Sequence, residues 1–94
     1  MAFARAVTFD GVSSERAAQM REEMKGAEPP AGLPATEVLL LHDAGAETSL
    51  VLVFFDTEED YAKGDEILDA MPAGDTPGRR TSVTKYEVVA RRSV

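Results

Sequence analysis

The sequence predicts a single α+β domain over residues 1–94, built strand–helix–strand–strand–helix–strand, with a four-stranded antiparallel sheet and both helices on one face. Three observations lead there. Val38-Leu39-Leu40-Leu41 and Leu50-Val51-Leu52-Val53-Phe54-Phe55 are dense apolar runs joined across Ala44-Gly45-Ala46-Glu47, the pattern of an antiparallel hairpin. Asp56-Thr57-Glu58-Glu59-Asp60 has the carboxylate density of a helix start, because the free amides and positive dipole end of a helix favour acids. Residues 27–35 and 73–80 carry proline and glycine, which interrupt both helical and strand periods.

The first strand spans Phe3 to Phe9 and ends at Asp10-Gly11, a turn pair. Ser13 or Ser14 then caps a helix over about residues 14–25, with Glu15 in its first turn and Ala17, Met20 and Met24 on one face. Gly26 stops it. A proline-rich loop over 27–35, anchored by Leu33, leads to a second strand from Thr36 to Asp43 and a third from Thr48 to Phe55. The second helix opens on a capping box between Asp56 and Glu59, turns Tyr61, Gly64, Leu68 and Met71 to one side, and ends at Pro72. Strand four follows from about Thr81 to Arg91. This βαββαβ order is the ferredoxin-like arrangement.

Antiparallel strands with one wet face alternate apolar and polar residues. The hairpin strands do not alternate, so both faces of the sheet are apolar, and two short helices cover only one. Each large side chain gains about 1.5–3 kcal/mol on full burial. The predicted cover is the same face of a second copy about a two-fold axis, giving a homodimer; a long loop or the C-terminal tail could cover part of the face, but neither is apolar enough for the task.

Composition narrows the rest. Without cysteine there are no disulfides, thiolate metal sites or cysteine nucleophiles. Seventeen acidic residues against ten basic ones leave a formal charge of −7, which disfavours nucleic acid, because that affinity rests on neutralising phosphates. Arg79-Arg80 and Arg91-Arg92 read as solvated strand ends. The longest apolar run, Leu50 to Phe55, is far below the roughly 20 residues that span a bilayer. The start has no basic-then-apolar leader, so no membrane partner is predicted and the cytoplasm is the expected location. Capping explains Glu58-Glu59-Asp60 better than a metal does, and no phosphate loop or nucleophile elbow is present; neither metal nor cofactor is expected.

Several segments together resemble the dimeric α/β barrel superfamily, within it the antibiotic-biosynthesis-monooxygenase-like (ABM-like) domains. They are Ala4-Arg5-Ala6-Val7-Thr8-Phe9-Asp10-Gly11, Leu39-Leu40-Leu41-His42-Asp43, Phe55-Asp56-Thr57-Glu58-Glu59 and Ser82-Val83-Thr84-Lys85-Tyr86-Glu87-Val88. The resemblance implies two sheets packed face to face and any ligand lying between sheet and helices. It also implies departures. Oxygenases of this superfamily use Asn, Trp, Tyr and Arg, and its haem-degrading members Asn, Trp and a ligating His. This chain has no Trp and no Asn, and Phe55 stands where relatives often carry Trp. Neither activity transfers residue by residue.

Four side chains are candidates for a ligand cleft between sheet and helices. Arg5, mid-strand among apolar residues, is either an anion anchor or half of an ion pair with Glu87, since an unpaired buried charge is very costly. His42, the sole histidine, is either a functional group or an idle, partly exposed strand-end residue; neighbouring Asp43 points to the opposite face and is badly placed to orient it. Tyr61 opens the second helix's apolar stripe, and Tyr86 matches a recurring family tyrosine. Each is a packing residue or a hydroxyl for a ligand. Gly64, inside a helix, permits close approach to the sheet or leaves ligand space. Two functions remain in view. One is a small-molecule-binding domain, in its enzymatic form an oxygenase-like catalyst acting without a metal on a hydrophobic metabolite. The other is a non-catalytic dimerisation or interaction module.

Overall fold

The computed structural model describes residues 2–26, 32–70 and 78–94. Its elements are β1 (Phe3–Asp10), α1 (Ser14–Gly26), β2 (Glu37–Asp43), β3 (Thr48–Phe55), α2 (Glu58–Asp69) and β4 (Arg79–Glu87). All strand pairs are antiparallel and the sheet order is β2-β3-β1-β4, which is the ferredoxin-like α+β fold. Strand β1 is central, and five of its eight residues are buried.

Two expected boundaries move. Ser13 caps α1, its hydroxyl accepting from the Arg16 amide at 3.1 Å, whereas α2 is capped by Thr57 rather than Asp56. The Thr57 hydroxyl accepts from the Asp60 amide at 3.0 Å, so Asp56 stays outside as an exposed turn residue. Strand β4 begins two residues earlier than expected and stops at Glu87 instead of Arg91. Its early start depends on an irregularity. Thr8 faces Ser82 but Phe9 faces Arg80, so Thr81 is an extra residue, the signature of a β-bulge. The bulge shifts Arg80 to the face that Phe9 occupies. The expected helix-two contacts of Met71 and the stop at Pro72 lie outside the described residues, as does the proline pair of the first loop.

Residues opposite each other in the register share a face. Phe3, Arg5, Val7 and Phe9 therefore lie with Phe55, Val53, Val51 and Ser49 of β3 on the helix-covered side. There Val53, Phe55 and Tyr61 form one buried cluster, against which Leu33 packs as the loop anchor; Val7, Phe9 and Val12 form a second, joined by Ala17. The other side presents Leu50, Leu52 and Phe54 from β3, Leu39 and Leu41 from β2, and Tyr86 from β4. Leu41 is 48% exposed and Tyr86 56%. This is the second apolar face that the sequence requires. At one end the tail crosses it: Arg91 pairs with Glu37 and stands 4.8 Å over the Phe54 ring, so the tail reaches this face with a cation rather than with apolar bulk.

The two helices are held very differently. Tyr61 and Gly64 of α2 are buried, whereas no residue of α1 is. A Cβ on Gly64 would overlap the Phe55 ring, so the glycine's function is close packing of α2 on β3. Among the described residues no helix is long and apolar enough to cross a membrane.

Candidate functional site

On the α2 side two of the predicted residues, Arg5 and Tyr61, meet and are engaged by the protein's own side chains. Arg5, 4% exposed, donates from Nε to Asp65 at 2.7 Å and from Nη2 to Asp69 at 2.8 Å. Glu87 is not its partner: it lies opposite Phe3, two residues along β4, while Lys85 lies opposite Arg5. A cation facing a cation drives Arg5 toward the helix, where the two aspartates, four residues apart, stand on one face. Arg80, brought round by the bulge, adds a 3.1 Å contact to Asp69. Lys85 reaches Glu58 at 3.4 Å and lies about 5 Å over the rings of Phe3 and Tyr61. Tyr61 itself sits edge-on to Phe55, with centroids 5.5 Å apart. Burial, then the Asp65 charge, pushes the Tyr61 hydroxyl's pKa above its usual value, with Arg5 opposing. The arrangement clamps α2 to the sheet with charge pairs around an aromatic core.

The α1 side is open. A cleft of about 590 Å³ lies between α1 and β2. Its walls are Ala17, Ala18 and Met24 of the helix and Leu40 of the strand, with Ser14 at one end. Small helix residues leave the space that Tyr61 and Phe55 occupy on the other side. His42 also lines the cleft, on the helix-covered face opposite Ser49. Its Nδ1 lies 2.8 Å from the Ser49 hydroxyl, and Ser49 is 2% exposed. Its Nε2 is buried and has no hydrogen-bond partner among the described residues. His42 is half-buried near the end of β2, with the Ser49 hydroxyl beneath its ring. Asp43 points the other way, as expected, and accepts from the amides of Gly45 and Ala46 in the hairpin turn.

The four sequence candidates thus separate. Arg5 and Tyr61 belong to the α2 clamp, and His42 to the α1 cleft. Tyr86 lies opposite Ala4, on the uncovered face; the alternation that puts Lys85 beside Tyr61 turns Tyr86 away from both helices. Sequence reading missed Asp65, Asp69, Lys85 and Arg80 as the partners of the clamp. Two acids spaced i, i+4 beside an apolar stripe, with one arginine buried in β1, were the available signal. It also missed Ser49, and the Ala17-Ala18 pair that leaves α1 standing off. Among the described residues, no three His, Cys, Asp or Glu side chains come together as metal ligands.

A solved structure with this architecture is a protein provisionally assigned as an antibiotic biosynthesis monooxygenase from Chloroflexus aurantiacus. It aligns over 99% of this chain and 98% of its own, with a TM-score of 0.63 and 12% identity. The chain shares the ABM-like fold of that structure. A second structure, provisionally assigned in the same way, comes from Deinococcus radiodurans and covers 100% of this chain and 98% of its own at a TM-score of 0.49 and 16% identity. No protein-family model matches the chain and no curated protein matches it. At 12% identity the ABM-like likeness carries the fold and no catalytic residue.

Proposed function

We propose that this chain is a small-molecule-binding domain that works as a cytoplasmic homodimer and takes a largely apolar ligand in the cleft between α1 and β2. The observation that carries the reading is an open cleft of about 590 Å³ with a buried imidazole nitrogen that the described residues leave unpartnered. Ligand pockets typically occupy about 300–1,000 Å³, with apolar walls and few convergent polar groups. Leu39, Leu41 and Tyr86 form an apolar face that supports pairing with a second copy. An oxygenase-like reaction on a hydrophobic metabolite, without a metal, is the enzymatic form of this reading. It draws support from the description of the Chloroflexus neighbour. The non-catalytic module draws support from the α2 side, where Arg5 and Tyr61 are taken up by the protein's own side chains.

A thermal-shift screen of hydrophobic metabolites tests the binding reading. A ligand present at a hundred times its Kd stabilises the fold by about 2.7 kcal/mol, roughly 10 °C or more in Tm for a domain of this size. Filling the cleft with Ala18→Trp should abolish that shift. A blank screen across chemically varied metabolites leaves the module.

A further inference from the structure

We propose that the α1–β2 cleft selects a hydrophobic monocarboxylate, its carboxylate paired with Arg21 and Lys25 and, once the imidazole turns toward the cleft, accepting a hydrogen bond from His42 Nε2. This rests on the cleft being a ligand site, as proposed above, and goes on to name the ligand's chemistry.

Charge comes first. The chain carries −7 overall, yet among the described residues the fully charged groups lining the cleft, Arg21 and Lys25, are both cations and no carboxylate lines it. Glu22 lies 3.5 Å from Arg21 and 3.8 Å from Lys25, but all three side chains are about two-thirds exposed. Exposed pairs of this kind are worth at most about 1 kcal/mol and exchange readily, so both cations are available to an incoming anion.

The imidazole supplies direction. When the Ser49 hydroxyl donates to Nδ1, the ring proton resides on Nε2, and that N–H then needs an acceptor. A buried donor without one costs about 1–3 kcal/mol. An anionic oxygen makes a charge-assisted bond, about twice as strong as a neutral one. Ala17, Ala18, Met24 and Leu40 present mostly carbon to the remaining volume, which suits an apolar body rather than a small inorganic anion.

Naphthoate and the matching naphthol, which share the ring system and differ in charge, test the assignment by calorimetry and by the Nε2 resonance of labelled protein. Naphthoate should bind, shift that resonance, and exceed naphthol in affinity by about tenfold, the difference expected between charge-assisted and neutral hydrogen bonds. The surface variant Arg21→Gln/Lys25→Gln, which keeps the fold, should weaken naphthoate severalfold and leave naphthol unchanged. His42→Gln should weaken naphthoate as well. Equal binding of the two compounds, or naphthoate binding indifferent to the double variant, overturns the carboxylate while the site stands. If neither compound moves the His42 resonance, the cleft as a ligand site fails too.

Discussion

Tyr61 and His42 are single side chains whose surroundings come from elements distant in sequence. The Tyr61 ring is boxed by Phe3, Phe55 and Lys85, and burial followed by the Asp65 charge raises its pKa. In the unfolded chain the hydroxyl titrates near its ordinary value of about 10. The native state therefore holds the proton more tightly. Its contribution to stability is complete below about pH 10 and is lost as pH rises through the higher folded value. Urea midpoints measured on either side of about pH 10 should fall more in the wild type than in Tyr61→Phe. Parallel falls in the two proteins would remove Tyr61 as the source. Arg5 was legible as a buried cation needing a carboxylate. Which carboxylate was not legible, because Asp65 and Asp69 lie 60 and 64 residues away and only the helix–sheet packing brings them together. His42 was legible as a candidate, but its inward orientation depends on Ser49 across the hairpin.

The helices differ in how tightly the sheet holds them, and Gly64 is the residue that sets α2. Helix propensity alone favours Gly64→Ala by about 1 kcal/mol. Overlap of the new methyl with the Phe55 ring opposes this, since overpacking a filled core costs about 1–3 kcal/mol. The packing cost is expected to dominate, so Gly64→Ala should lower the denaturation midpoint, and should cost less in a Phe55→Leu background, where the ring is absent. A stabilised Gly64→Ala protein would mean that α2 stands further from β3. The order of elements and the bounds of β3 were readable from apolar runs and turn residues. The bulge at Thr81 was not, because a bulge answers to the twist and register of its neighbour, and the local sequence of β4 carries no glycine to mark it. The capping residue of α2 moved by one position for a similar reason: Asp56 and Thr57 are both capable acceptors, and chain entry from β3 chooses between them.

At the scale of the molecule, the sheet has one face under helices and one face of Leu39, Leu41, Leu50, Leu52, Phe54 and Tyr86, crossed at its end, among the described residues, by Arg91. A second copy burying that face removes several large side chains from water, each worth about 1.5–3 kcal/mol when fully buried. Sedimentation should give a species of twice the chain mass. Leu39→Asp/Leu41→Asp should reduce it to the chain mass while keeping the wild-type circular dichroism, because β2 is an edge strand and these side chains lie outside the helix-covered core. A wild-type protein sedimenting at the chain mass at high concentration would remove the homodimer.

The sequence by itself determined the βαββαβ order, the antiparallel hairpin and the two apolar sides of the sheet, because hydrophobic period, turn residues and caps act over a few positions. Only the tertiary structure decided that Arg5 answers to α2, that Tyr86 faces away from the helices, and that the open cleft lies beside α1. Those outcomes turn on strand register, the bulge in β4 and the distance of each helix from the sheet, and each of these is fixed by contacts between residues far apart along the chain.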